Sequence, residues 1–265
     1  MNAMLRGRRA FARWGALIMA VSILVACETR PTPSASPSPT DRSRILVFTR
    51  TAAFRHDSIP DAIAAVRRLG EMRDIVVDAT EDGSFFTDAM LAGYRAVVFL
   101  LTSGDVLDDE QQRAFERYIR AGGGYAGVHS ASDTEYDWAW YGKLVGAYFR
   151  NHPAVQQADV LIEDASHPAS RGLPARWTYT DEWYNFRTNP SANVRVLARL
   201  DESSYTGGAM GVDHPWSWCH VFEGGRSWYT AGGHPRDAYA DPRFIEHLLG
   251  GIAWAAGAAD GDCST

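Results

Sequence analysis

The chain has 265 residues, 26 Lys+Arg against 32 Asp+Glu for a formal charge of −6, and 46 % hydrophobic against 22 % charged residues. That length and apolar content can bury one substantial domain and exclude collagen-like, coiled-coil and wholly disordered classes, while the acidic balance argues against a broad nucleic-acid surface. Three Cys are too few for a disulfide scaffold or a four-thiolate zinc knuckle, whereas nine Trp beside eleven Tyr and eleven Phe is more aromatic surface than packing alone usually demands.

Residues 1–26 carry Arg6, Arg8, Arg9 and Arg13 with no acid, followed by an apolar run from Trp14 to Ala26. This pattern reads as a signal peptide, the run being short for a membrane anchor. It ends in Leu24-Val25-Ala26-Cys27, which resembles the lipobox of bacterial lipoproteins, in which the Cys is lipidated and becomes the new N-terminus. Arg8-Arg9-Ala10-Phe11 resembles a twin-arginine export signal, so the general and twin-arginine routes both stay open. The resemblance implies an exported lipoprotein on the outer face of the cytoplasmic membrane, or facing the periplasm where the host has an outer membrane. Its membrane contact would be lipid on Cys27. Removal of residues 1–26 takes four Arg and no acid, moving the formal charge from −6 to −10. Residues 27–43 then form a Pro/Ser/Thr-rich tether with nothing to bury.

The folded part spans 44–257. Residues 44–49 read as a buried strand, 60–69 as a helix starting near Asp57 or Ser58, and 74–79 as a second strand. Thr87 caps a short helix over 87–91, and 96–101 is a third strand. Helix 108–120 turns Phe115, Tyr118 and Ile119 inward, and three Gly lead into a fourth strand over 125–128. A short helix over 138–145 follows. Further strands are expected at 155–162, 194–200, 216–222 and 226–230, some of them antiparallel, before a closing helix over 241–256 and a loose tail at 258–265. Short apolar strands separated by helices predict an α/β fold: a three-layer sandwich with a mostly parallel central sheet and additional C-terminal strands.

In such sheets ligands bind beyond the carboxyl ends of the strands. Polar groups collect there at 49–57, 102–105 and 127–134, and in the loops around 151–153, 181–184, 213–215 and 232–235. The stretches FRHDSI (54–59), GGGYAGVHSASDT (122–134), NHP (151–153), HPASRGLP (167–174), DEWY (181–184) and the final segment 224–257 resemble the ThuA-like family, named for a trehalose utilisation protein. The resemblance covers essentially all of 44–257. It implies a flavodoxin-like fold related to class I glutamine amidotransferases and a small carbohydrate as partner.

Those relatives hold a nucleophilic Cys in a tight elbow after this strand. Here Gly127-Val128-His129-Ser130-Ala131 puts His129 in its place, and neither Cys219 nor Cys263 readily substitutes. Ser130 lacks the G-x-S-x-G context of a hydroxyl nucleophile. The catalytic candidates are therefore His129, His56, Asp181 and Glu182. The last two are adjacent, so an extended backbone points them in opposite directions: one lines the pocket and the other orients a partner. Substrate contacts are expected from Arg55, Asp133, His152, Trp183, Tyr184, His214, Trp216 and His234, with Trp183 and Trp216 as sugar-stacking surfaces. No H-E-x-x-H spacing exists and no cofactor is assigned; a divalent ion such as zinc, on nitrogens of His56, His129, His152 and His234, stays open. A nucleotide cofactor is disfavoured, because Gly122-Gly123-Gly124 precedes a strand instead of following one. Three functions remain: a sugar-directed enzyme working by His-assisted proton transfer on a disaccharide or keto-sugar (isomerisation, elimination or hydrolysis), a tethered non-catalytic carbohydrate-binding protein, or a metal-dependent hydrolase.

Overall fold

The computed structural model describes residues 43–264. The expected signal peptide, Cys27 and nearly all of the tether lie outside them. Among the described residues no helix is long and apolar enough to cross a membrane.

The chain runs β1 (Arg44–Phe48), α1 (Ile59–Arg73), β2 (Val76–Thr80), α2 (Asp88–Leu91), β3 (Ala96–Leu100), α3 (Asp109–Arg120), β4 (Gly124–Val128) and α4 (Ala139–Val145). It continues through β5 (Phe149–Asn151), β6 (Gln156–Ile162), β7 (Arg176–Asp181), β8 (Asn185–Phe186), β9 (Arg195–Asp201), β10 (Pro215–Phe222), β11 (Gly225–Thr230) and α5 (Pro242–Ala255). Nine strands form one sheet in the order β2-β1-β3-β4-β11-β10-β9-β6-β7, and β5 pairs with β8 apart from it. The first five strands of that order are parallel, and from β11 to β7 every pairing is antiparallel.

The parallel half follows from its sequence. β3 and β4 are buried at every residue, as strands covered on both faces must be. The chain steps from β1 to β2 in one direction across the sheet and from β3 to β4 in the other. Right-handed crossovers therefore place α1 on one face and α3 on the opposite one. Accordingly α1 packs with α5, and α3 with α2. Helix α3 begins with a capping box, in which Asp108 accepts the N–H of Gln111 while the Gln111 side chain accepts the N–H of Asp108. Ser58 precedes α1 but makes no side-chain cap; its hydroxyl instead donates to the His234 carbonyl at 2.8 Å, tying the helix to the loop after β11.

Three strands escaped the sequence reading: β5, β7 and β8. β7 alternates exposed and buried positions, with Trp177, Tyr179 and Asp181 inward. It is an edge strand of the antiparallel half. Yet Trp177 lies edge-on to Trp216 of β10 at 5.9 Å, and Tyr179 stacks on Phe244 of α5 at 5.9 Å. This half of the sheet therefore curls back toward α5, and Trp177, Trp183, Trp216, Trp218 and Trp228 are all fully buried. Each large side chain removed from water contributes about 1.5–3 kcal/mol.

The tail is not free. Cys263 is buried and forms a disulfide with Cys219 of β10, across a separation of 44 residues and a Cα–Cα distance of 5.6 Å. The sequence alone does not pair Cys219 with Cys263, and the bond ties the chain near its end to β10. Closing a loop of that size stabilises a fold by about 3–4 kcal/mol in the chain-entropy account. Reduction, or Cys263→Ser, is expected to lower the unfolding free energy by about that much. It is also expected to expose the amides after Gly257 to hydrogen exchange; chemical denaturation with and without reductant, and exchange mass spectrometry, measure both effects.

Two buried imidazoles in this region add an acid sensitivity. Burial lowers His247 and His167 from 6.5 to about 4; His247 bridges the Ala169 carbonyl and the Thr230 hydroxyl, and His167 lies near Asp164, Arg171 and Arg195. Both are neutral in the native state, so their contribution is complete above pH 6.5 and is lost as pH falls toward 4. Urea midpoints should fall across that window, and His247→Gln should flatten the fall.

Candidate functional site

The order β2-β1-β3-β4 reverses direction between β1 and β3, and the loops past the carboxyl ends of these strands meet at that switch point. Thr51 bridges to Ser103, and Gly104 to Thr134, so the loops after β1, β3 and β4 are laced together. His129 follows β4 directly and sits in the left-handed region at φ 52°, a conformation costing a non-glycine residue about 1–3 kcal/mol. The elbow expected from the sequence is therefore present, with an imidazole at its apex. Tyr229 of β11 clamps it by donating to the His129 carbonyl at 2.8 Å.

His129 is fully buried, and both its nitrogens are engaged. Nδ1 lies 2.7 Å from the Ala231 carbonyl and must donate to it, so Nε2 is the nitrogen that faces the site. The Tyr184 hydroxyl sits 2.8 Å from Nε2, its ring tilted against the imidazole at 4.2 Å. Burial raises Tyr184 well above 10, so the phenol keeps its proton.

The two adjacent acids part company as the strand geometry requires. Glu182 turns into the site. Its Oε2 lies 3.5 Å from His129 Nε2 and 3.3 Å from His234 Nδ1, while Oε1 lies 3.1 Å from His152 Nδ1. Burial opposes ionisation of Glu182, but the neighbouring His129 and His234 outweigh it and hold the carboxyl well below its ordinary range. Contact with Glu182 in turn raises His234, against its own partial burial. Asp181 turns the other way and accepts the N–H groups of Gly233 at 2.7 Å, Glu182 at 2.8 Å and His234 at 3.0 Å. It is completely buried, which raises its pKa against the pull of His129 and those donors. Asp181 is a positioning residue and not a catalytic one.

His56 completes the cluster. Its ring lies 4.8 Å from that of His129 and 5.1 Å from that of His234. Burial, followed by the fields of His129 and His234, lowers it to about 3, so it is neutral. Its Nδ1 is 3.5 Å from the Ser130 hydroxyl. One ligand atom from each of His56, His129, Glu182 and His234 falls within 4.8 Å of the other three. Three imidazoles and a carboxylate are a donor set suited to a divalent transition metal, with the Ala231 carbonyl fixing the His129 tautomer as an outer-shell partner would. A metal at His129 Nε2 would have to displace the Tyr184 hydroxyl.

The other expected contacts divide. His152 stands at the rim, 39 % exposed, outside that group of four. Asp133 accepts the Tyr136 hydroxyl at 2.5 Å and lies near enough to His129 and His152 to feel their fields. Arg55 is exposed and reaches Glu81 and Thr51 instead of the cluster. Trp183 is buried and donates to the Gln156 carbonyl, and Trp216 is buried against His247, so neither offers a face to a sugar. His214 is buried between Glu202 and the Tyr184 carbonyl at 2.7 and 2.8 Å; it supports Tyr184 from behind and is not a substrate contact. The roomier surface clefts lie elsewhere. One of about 560 Å³ beside Arg44, Tyr94 and Tyr118 is at the amino ends of the strands, and one of about 600 Å³ lies beside Tyr148 and His220.

A mostly parallel sheet with a switch point, extended by antiparallel strands, and an imidazole at the elbow after β4 define an α/β protein whose site lies past the carboxyl ends of the parallel strands. The family profile described as trehalose utilisation matches residues 44–255, and the chain belongs to this ThuA family. Solved structures of ThuA-like proteins are similar in fold. One from Bacteroides uniformis has 23 % identity over 84 % of this chain and 95 % of that one, with a TM-score of 0.71. Another from Parabacteroides merdae has 21 % identity over 81 % and 90 %, with a TM-score of 0.68. Part of a β-galactosidase from Bacillus circulans shares the fold at 12 % identity over 82 % of this chain and 31 % of that one, with a TM-score of 0.53. At these identities the likeness is one of fold alone. No curated protein matches the sequence.

Asp181→Asn tests the positioning role. The amide turns a donor toward backbone donors, and the expected loss is about 2–3 kcal/mol of unfolding free energy by urea titration. Displacement of the His234 ring resonances should accompany it.

Proposed function

We propose that the chain is a sugar-directed enzyme that moves a proton on a disaccharide or keto-sugar. The observation that carries this reading is Glu182 Oε2, a carboxylate oxygen 3.5 Å from His129 Nε2 and 3.3 Å from His234 Nδ1. A carbon acid beside a keto group would lose its proton to this oxygen as the C–H bond breaks. The negative charge then gathers on the substrate oxygen, where His234, made easier to protonate by Glu182, is placed to neutralise it. Isomerisation and elimination both begin with this step: the first returns the proton to a neighbouring carbon, and the second expels the group on the β-carbon, which leaves with the electron pair and takes up a proton. Glycosidic hydrolysis would call for a second carboxylate at a fixed spacing, and Asp133 is already engaged with Tyr136.

The group of four ligand atoms supports a second reading, a divalent-metal-dependent hydrolase. There His56, His129, Glu182 and His234 would hold the ion, which would supply Lewis acidity to a sugar oxygen. A non-catalytic sugar-binding protein loses the exposed tryptophans that favoured it, since Trp183 and Trp216 are buried. Export and lipid on Cys27 remain part of the proposal.

Turnover of trehalose and its 3-keto derivative is the test. Glu182→Gln is expected to lower it by about 10²–10⁴-fold, the range for a lost acid–base group. Wild-type turnover in that variant would overturn the reading. Elemental analysis separates the two mechanisms: one bound ion per chain, lost in His129→Ala and Glu182→Gln, selects the metal reading. A metal-free chain that keeps its turnover in chelator selects proton transfer.

A further inference from the structure

Among the described residues every Trp but Trp140 is buried, and one aromatic ring stands mostly in water. Among the described residues Phe54 is the sole exposed Phe, Tyr or Trp, at 63 %. A single exposed apolar side chain is ordinary; its position here is not. The ring stands edge-on to His56 at 4.8 Å, and His56 touches both His129 and His234. Phe54 therefore stands beside the imidazole cluster, on the side of His56.

Its backbone is held while its ring is free. Ser103 Oγ donates to the Phe54 carbonyl at 2.6 Å, and the Ala52 N–H donates to the Ser103 carbonyl at 2.7 Å. Gly104, at φ 71°, lets these loops close up; a Cβ there would come within 3.0 Å of the Ala52 and Ala53 backbone. The ring is thus presented from a preorganised support, which limits the ordering cost of binding.

A pyranose has the complementary form: one face of C–H bonds and a rim of hydroxyls. Laid on Phe54, its C–H face would cover the exposed ring, and the hydroxyls on the near edge would point at His56 and the cluster behind it. We propose that Phe54 is the stacking platform for a pyranose unit of the substrate and so selects glycosides over small open-chain carbonyl compounds. This rests on the sugar-directed reading above.

Calorimetric titration of the wild type, Phe54→Ala, Phe54→Trp and the exposed control Met72→Ala with trehalose and 3-keto-trehalose tests it. Loss of an aromatic face is expected to weaken binding about tenfold in Phe54→Ala, with Phe54→Trp within about twofold of wild type and Met72→Ala unchanged. In turnover the loss should appear in KM, with kcat retained. Wild-type affinity in Phe54→Ala overturns the platform while leaving the sugar reading intact. Equal loss in the Ala and Trp variants assigns Phe54 to loop structure and also overturns it. A wild type that binds neither sugar overturns the sugar reading, and the platform with it.

Discussion

The geometry of the site depends on one buried carboxylate that faces away from the imidazole cluster. Asp181 gathers three backbone N–H groups, from Glu182, Gly233 and His234. Those donors replace the water the carboxylate loses, which is what permits an acid in a fully buried position. The bonds join the end of β7 to the turn after β11, two segments 52 residues apart in the chain. Once they are joined, Glu182 and His234 face each other. Gly233 makes the turn, at φ 112°, where a Cβ would lie 2.7 Å from the Tyr239 hydroxyl. Ser58 holds the far side of the same turn through the His234 carbonyl, so α1 and the His56 loop are brought into register with it.

An edge strand can reach the middle of the sheet only if the sheet curls, and the curl needs filling. That is the work of the tryptophans. Trp177 and Trp216 meet edge-on inside it, Trp216 stacks on His247, and Trp218 lies against Tyr229, whose hydroxyl clamps the His129 elbow. The aromatic excess in the composition is therefore structural, and it acts on function at one remove, by shaping the curl that delivers Asp181. The disulfide from Cys219 on β10 to the tail closes the outside of the same region.

The parallel half was legible because its strands are uniformly apolar and its helices carry recognisable caps, Thr87 and Asp108 among them. β7 was not, although Arg176–Asp181 alternates cleanly, because it holds no aliphatic residue and its last residue opens the DEWY motif. The opposite facing of Asp181 and Glu182 could be read from strand geometry; which of them entered the site could not, since that depends on the loop after β11. Exposure was the least legible property. Trp183 and Trp216 have the residue type of a sugar platform and the position of a core, and residue type says nothing of the curl around them. The pairing of Cys219 with Cys263 was hidden for the same reason: it is a contact of the folded chain across 44 residues. The Ala231 carbonyl that fixes the His129 tautomer carries no side-chain signal at all.

The elbow shows how the fold accommodates a change of chemistry. A left-handed residue after a central strand projects its side chain over the carboxyl end of the sheet, with neighbouring backbone groups close by. With a thiol there, that geometry serves nucleophilic attack. With an imidazole it serves orientation: Nδ1 is spent on the Ala231 carbonyl, and Nε2 is left to Tyr184 and Glu182. An imidazole so enclosed cannot travel to a substrate, so the mobile charge has to sit on its neighbours. Glu182 and the partly exposed His234 occupy that place, with opposite shifts in acidity that each causes in the other. The strain at φ 52° is thus the cost of holding His129 still. Glu182 and His234 are brought to it from the ends of β7 and β11, far from it in sequence and fixed by Asp181.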